Sequence, residues 1–187
     1  MSDANIDPAS VVIVVDLQTG MFDGVLEPPI HDAGEVAERT RAVTSWARRT
    51  GHRIAFVRHD GPPGDPLAPG QPGWPVWPEL GQSADEPTFS KNVGDAFSNP
   101  ALGEWVDGEG ARAVVLLGAQ TDHCIAATVG GALARGLGVT VVGDAHSTVA
   151  FSDETVPEII ARHNTQFRDA GAAVVSTAEL TQHSAVS

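Results

Sequence analysis

Short apolar runs alternate with longer amphipathic segments along this chain. The runs are continuous and rich in β-branched residues, which is typical of strands that are buried on both faces of a parallel sheet. The first run ends at Asp16, and others also end beside a reactive side chain. We predict strands over Val11–Val15, Arg53–Val57, Thr88–Ser90, Ala113–Leu117, Val139–Val142 and Ala172–Val175.

The segments between these runs have apolar residues at helical spacing. In the first of them Val36, Val43 and Ala47 share one stripe, and the last begins with the capping-box pair Thr155 and Glu158. We predict helices over Ala33–Arg49, Asn99–Asp107, Asp122–Arg135 and Thr155–Ala170. Alternating strands and helices predict an α/β fold, a parallel sheet with helices on both faces.

One long segment, Gly61 to Asp85, is rich in proline and glycine and contains Trp74 and Trp77. A loop of this length inside a compact domain is usually functional. It joins elements of a single alternating pattern, so it does not mark a domain boundary. Together with a length of 187 residues, this predicts one domain over residues 1–187.

Composition narrows the possible classes of protein. No apolar stretch approaches the roughly 20 residues of a membrane span, and residues 1–10 lack the basic-then-apolar pattern of a secretory signal. A single cysteine excludes an intramolecular disulfide, which favours a cytoplasmic location. The net charge of −13 argues against binding to nucleic acid or to anionic membranes.

The one cysteine, Cys124, follows a predicted buried strand at the start of a predicted helix. Backbone N–H groups and the helix dipole at such a position favour a thiolate, and the same N–H groups can hold an oxyanion. The alternative is that Cys124 is a small buried hydrophobic residue.

Three further reactive side chains lie at apparent strand ends: Asp16, His59 and Lys91. The carboxyl ends of parallel strands are where ligands bind in such sheets, so we expect these side chains to converge with Cys124. A cysteine hydrolase needs a nucleophile and a proton carrier, roles that suit Cys124 and Asp16, with Lys91 to hold and orient both. Alternatively, Asp16 caps a turn and Lys91 is a solvated surface residue.

Three sequence blocks, Val14–Gln18, Phe89–Lys91 and Gly118–Ile125, resemble those of the isochorismatase-like cysteine hydrolases, which include nicotinamidases, N-carbamoylsarcosine amidase and ureidoacrylate amidohydrolase. The resemblance runs from about Val11 to Leu180. Further matches are His59–Asp60, Gly73–Trp74, Pro78–Leu80, Asp95–Phe97 and Gly143–Ala145.

The resemblance implies a six-stranded parallel sheet in a three-layer α-β-α sandwich, with a catalytic triad of Asp16, Lys91 and Cys124. It also implies a cis peptide bond between Ala119 and Gln120, which would turn the Gln120 amide towards an oxyanion beside the Cys124 amide. A homo-oligomer, either a dimer or a tetramer, is expected as well.

The presence of Cys124 favours hydrolysis of a C–N bond, because isochorismatases proper cleave a vinyl ether without a nucleophilic cysteine. The metal motif of nicotinamidases is incomplete here, since no histidine follows His59 in the loop, so we expect neither a metal nor another cofactor. We expect a small-molecule amide, carbamoyl compound or lactam as substrate. The candidate substrate-binding residues are Phe22, His59, Trp74 and His123.

Two other functions stay open at this point. One is a catalytically idle binding or redox-sensing oligomer of the same fold, and the other is an enol-ether hydrolase that uses Asp16 alone. The charge of the substrate is also open. A substrate with a carboxylate group would need an arginine to bind it, and Arg58 is the nearest candidate. The acidic surface would instead tolerate a cationic substrate such as a basic lactam antibiotic.

Overall fold

Six parallel strands form one sheet in the computed structural model, which describes residues 6–25, 27–150 and 153–182. The strand order is β3-β2-β1-β4-β5-β6, and every pairing is parallel. The strands are β1 (Ser10–Val15), β2 (Ile54–His59), β3 (Thr88–Lys91), β4 (Ala113–Ala119), β5 (Gly138–Ser147) and β6 (Ala173–Val175).

Five α-helices cover the two faces of this sheet within the described residues. Buried side chains of α1 and α5 pack on one face, and those of α2, α3 and α4 pack on the other. The helices are α1 (Ala33–Thr50), α2 (Pro100–Gly108), α3 (Ala126–Ala134), α4 (Val156–Asp169) and α5 (Thr177–Gln182). The predicted three-layer fold with a six-stranded parallel sheet is therefore confirmed.

The position of strand β1 between two helical layers explains why its sequence is almost entirely apolar. Val11, Ile13 and Val15 enter the core on one face, whereas Val12 and Val14 enter the core on the other. Successive side chains of a strand point to opposite faces, so a strand covered on both sides requires apolar residues at every position.

Three local predictions differ from the structure. Strand β5 continues past the predicted end at Val142 to Ser147, because it pairs with β4 again beyond an irregularity in register. The predicted helix at Asp122 begins as a π-helical turn, Thr121–Ile125, and is α-helical only from Ala126. Helix α5 was not predicted; its buried Leu180 packs in the same core as α1.

The long segment between β2 and β3 is tied to the sheet by one buried side chain, Gln18. Its amide nitrogen donates to the backbone oxygens of His59 and Trp74, at 3.0 and 2.8 Å, and its amide oxygen accepts from the His59 amide. Because Gln18 stands two residues after Asp16, the loop is anchored next to the carboxyl end of β1. None of the described helices has the length and hydropathy that a membrane span requires.

Gly118 allows β4 to lie against β1 at this same edge. Its φ is +132°, and a β-carbon there would overlap the backbone of Val15. We expect Gly118→Ala to lower the free energy of unfolding by about 3 kcal/mol or more, because both the backbone conformation and the close approach require glycine. Urea denaturation measures this change.

The matched control is Gly130→Ala in α3, where a β-carbon meets no atom within 4 Å. Alanine favours helix, so the control should gain about 0.5–1 kcal/mol. A Gly118→Ala protein as stable as the wild type would show that β4 can move away from β1 without cost.

Candidate active site

Asp16, Lys91 and Cys124 meet at the carboxyl edge of the sheet. Asp16 follows β1, Lys91 ends β3, and Cys124 lies in the π-helical turn after β4. The Lys91 ammonium donates to Asp16 Oδ2 at 2.6 Å and contacts Cys124 Sγ at 3.2 Å. The side chains of Asp16 and Lys91 are 1% and 0% exposed, so Lys91 is not a solvated surface residue and Asp16 pairs with it rather than capping a turn.

Burial and the neighbouring Lys91 ammonium have opposite effects on the pKa of the Asp16 carboxylate. Burial raises the pKa of Asp16, while the charge of Lys91 and hydrogen bonding from the Cys124 thiol and Lys91 oppose the rise. Oδ2 is taken by Lys91, whereas no described residue satisfies the geometry of a hydrogen bond to the buried Oδ1. A buried carboxylate oxygen without a firm partner beside a thiol is suited to accept a proton.

The thiol differs from the sequence-based prediction. Burial and, next, the negative charge of Asp16 raise the pKa of Cys124 to about 12, although Lys91 works in the opposite direction. The prediction of a stabilised thiolate at a helix start was therefore wrong for this environment. A raised pKa favours the neutral thiol, so a nearby base that takes the proton assists attack by the sulfur.

The turn that carries Cys124 begins at a cis peptide bond between Ala119 and Gln120. Gln120 is extended, and its carbonyl oxygen accepts from the amides of His123 and Ile125. The same residue lines a cleft of about 510 Å³, which we call the Gln120 cleft. The roles of the Gln120 and Cys124 amides as an oxyanion hole remain predictions.

His59 is the one predicted substrate-binding residue that lies within the cluster. Ligand-type atoms of Asp16, His59 and Cys124 all lie within 4.8 Å of one another, and the buried Nδ1 of His59 has no partner among the described residues. These three are the residues that could hold a metal ion. A divalent cation there would sit beside the Lys91 ammonium, which already neutralises Asp16, and this repulsion disfavours it.

The other three predicted substrate-binding residues lie elsewhere. Trp74 donates its indole N–H to Asp60 and stacks on the Arg58 guanidinium, 3.6 Å from the ring centre. Phe22 stacks on Trp77 beside α1, with ring centres 5.2 Å apart. The His123 side chain is 61% exposed. None of the three lines the Gln120 cleft, so all three remain untested predictions without support from this geometry.

A buried polar network behind the turn was not predicted from the sequence. Thr121 Oγ1 and His146 Nδ1 are 2.8 Å apart, and His146 Nε2 and Asn164 Oδ1 are 3.0 Å apart. Asn164 also donates to the carbonyl oxygen of Gly143. The network links the start of the Cys124 turn to β5 and α4. No sequence motif reveals it, because its members are joined only by the extension of β5.

This network predicts a loss of stability in mild acid. Burial lowers the pKa of His146 from its ordinary value of 6.5 to about 4. Between these pH values the unfolded chain binds a proton that the folded chain excludes, so the free energy of unfolding falls by up to about 3 kcal/mol as the pH falls from 6.5 to 4. Urea denaturation at several pH values checks it, with His146→Gln as the comparison. Equal pH slopes for the two proteins would contradict the assignment.

Comparison with known proteins agrees with this fold. The isochorismatase domain model matches residues 10–179. The chain belongs to the isochorismatase family. This family member is 26% identical to an isochorismatase of known structure from Pseudomonas putida, with a TM-score of 0.83 over 91% of this chain and 89% of that chain. A cysteine hydrolase from Pseudomonas syringae pv. phaseolicola shares the fold, with a TM-score of 0.86 at 20% identity over 95% and 93% of the two chains.

Among curated proteins, the family member is similar to a streptothricin hydrolase from Streptomyces noursei, with 33% identity over 137 residues. The match covers 73% of this chain and 49% of that protein. A second streptothricin hydrolase from the same organism is 30% identical over 145 residues, or 78% and 57% of the two chains. The chain thus spans about half the length of the curated relatives it matches.

Proposed function

We propose that this protein is a cysteine-dependent hydrolase that cleaves the C–N bond of a small amide, carbamoyl compound or lactam through a thioester. One observation carries the proposal: a buried carboxylate, an ammonium and a thiol are in mutual contact at the sheet edge, with Lys91 bridging the other two. Such an arrangement supplies a nucleophile, a proton carrier and a fixed positive charge.

In the first half of the reaction Cys124 Sγ attacks the carbonyl carbon while Asp16 Oδ1 accepts the thiol proton. Transfer during attack is needed because the pKa of the Cys124 thiol is raised to about 12. The new C–S bond leaves a negative oxygen, which the backbone amides of Gln120 and Cys124 hold. Asp16 then gives its proton to the nitrogen, the C–N bond breaks, and the amine departs from the thioester.

In the second half Asp16 accepts a proton from a water molecule as its oxygen attacks the thioester carbon. The C–S bond breaks, the carboxylic acid is released, and the sulfur regains its proton from Asp16. Lys91 keeps its proton throughout. It offsets the charge of Asp16 at rest and that of the sulfur as it leaves.

The curated relatives suggest one of the candidate substrates, and the rest of the panel covers other small amides. Streptothricin is the first compound to test, because two proteins named for its hydrolysis match most of this chain. Nicotinamide, carbamoyl amino acids, ureidoacrylate analogues and cyclic lactams complete the panel. Assembly into a homo-oligomer stays a prediction, for which sedimentation equilibrium is the measurement.

Trapping the covalent intermediate tests the proposed chemistry directly. We expect intact-mass spectra during turnover to show a mass increase equal to the acyl part of the substrate, located at Cys124 by peptide mapping and converted to the hydroxamate by hydroxylamine. The enol-ether hydrolase alternative predicts turnover of isochorismate with no adduct. Turnover of an amide with no adduct and no hydroxamate would contradict the thioester route.

The idle or redox-sensing alternative has its own signature. Such a protein releases no amine from any member of the panel, and Cys124 forms a sulfenic acid or a mixed disulfide in mild oxidant without effect on an activity. That pattern would contradict the proposed hydrolase and favour the idle or redox-sensing protein.

A further inference from the structure

We propose that the substrate carries a cationic group, and that Glu27 in the Gln120 cleft recognises it. This inference rests on the proposed function, because it assigns a substrate charge to the same site. It concerns the part of the substrate away from the bond that breaks.

The Gln120 cleft is a cavity beside one of the two residues proposed to hold the oxyanion. Gln120 lies in its lining, as do Gly20 and Met21 of the short turn Thr19–Met21 that comes after β1. In the proposal, the reacting carbonyl group lies at Gln120 and the rest of the substrate occupies this cleft. Its volume of about 510 Å³ suits a small organic molecule.

The walls of the cleft are mostly apolar. Met21, Pro28 and Pro29 come from the segment between β1 and α1, and Val149 and Val156 come from the segment around the start of α4. Apolar walls bind the carbon skeleton of a ligand and leave its orientation to the few polar groups present.

Two ionisable side chains line the cleft in the described part of the chain, Glu27 and His31. His31 faces the Asp32 carboxylate at 3.1 Å, whereas Glu27 has no ion-pair or hydrogen-bond partner among the described residues. No lysine or arginine is among the described lining residues. The cleft therefore offers an unmatched carboxylate to its ligand.

The arginine that could have served an anionic substrate is committed elsewhere. Arg58 donates to the Ser90 hydroxyl at 3.0 Å and stacks on Trp74. The net charge of −13 adds a long-range attraction for cations and a repulsion for anions. Both observations favour a positively charged substrate over a carboxylate.

Three primary amides that differ only in the terminal group test the inference: 6-aminohexanamide, its uncharged methyl analogue heptanamide, and the anion pimelamate. Ammonia release gives kcat/KM for each. We expect the cation to exceed the uncharged amide about fivefold at low salt, with the anion slowest, and the preference to shrink at high salt. Glu27→Gln should remove the preference and Glu27→Lys should reverse it.

Glu104→Gln is the matched control, because it removes the same charge from the exposed side of α2, which does not line the cleft. It should keep the fivefold preference. If Glu104→Gln lowers the preference as much as Glu27→Gln does, the effect is one of net charge and the role of Glu27 is overturned.

Binding of the same three amides to the Cys124→Ala protein, measured by calorimetry, separates this inference from the proposed function. If turnover depends on Cys124 but the three amides react equally or the anion reacts fastest, the proposal of a cationic substrate is overturned and the proposal of a cysteine hydrolase stands. A third outcome is that the wild type turns over none of the amides, while the Cys124→Ala protein binds the cation selectively and Glu27→Gln abolishes that binding. This outcome supports the inference about the cationic group and counts against the proposed hydrolysis. Binding of none of the three, or of all three equally, overturns the inference.

Discussion

We expect Cys124→Ala to lower kcat/KM for an amide substrate by at least about 10⁴-fold, because the proposed thioester forms on the sulfur that this change removes. Cys124→Ser gives a similar loss, since a serine hydroxyl is a poorer nucleophile and the site is arranged around a larger sulfur atom. Steady-state amine release and single-turnover kinetics measure both effects.

The fold should tolerate these changes. Cys124 is only partly buried, and alanine leaves the Asp16–Lys91 pair intact. The free energy of unfolding should change by less than about 1 kcal/mol, as checked by urea denaturation. Amide turnover that survives in a folded Cys124→Ala protein would eliminate the thioester and favour a reaction driven by Asp16 alone.

Asp16→Asn is expected to cost both activity and stability. Turnover should fall by about 10³-fold or more, because the amide cannot accept the thiol proton or return it to the amine. Asparagine tolerates the left-handed backbone found at this position, where φ is +52°, so the substitution is conservative in shape. The buried Lys91 ammonium then lacks its anion, which should cost about 3–5 kcal/mol of the free energy of unfolding.

A matched control is Asp32→Asn, at the other non-glycine residue with positive φ among the described residues. Asp32 is exposed at the start of α1, and its change should alter the free energy of unfolding by less than about 0.5 kcal/mol. A similar loss of stability in both variants would point to backbone strain rather than to the unpaired Lys91.

The reactivity of Cys124 in Asp16→Asn separates loss of a base from collapse of the site. The Asp16 charge raises the pKa of the Cys124 thiol, so its removal should lower that pKa and speed alkylation by iodoacetamide at pH 8–9, while turnover falls. Opposite changes in alkylation and turnover would support the role of Asp16 as the proton carrier. If both fall together, the site has been disrupted and the assignment of the base is wrong.

The sequence by itself determined the layers of this protein and the group of residues at its edge. Continuous β-branched runs required strands covered on both faces, and parallel strands bring their carboxyl ends to one edge, so Asp16, Lys91 and Cys124 could be placed together without coordinates. The three blocks Val14–Gln18, Phe89–Lys91 and Gly118–Ile125 identified the family for the same reason: each lies at a strand end that the fold keeps in place.

The tertiary structure decided the properties that depend on surroundings. The pKa of Cys124 is raised because the thiol is partly withdrawn from water and lies beside the negative charge of Asp16, and position at the start of a helix did not reveal this. The Thr121–His146–Asn164 network exists because β5 pairs with β4 again beyond an irregularity. The cleft beside Gln120 joins segments far apart in the chain, from Glu27 to Val156. The burial of a side chain and its contacts depend on many residues that are distant in the sequence, so no local pattern of residues encodes them.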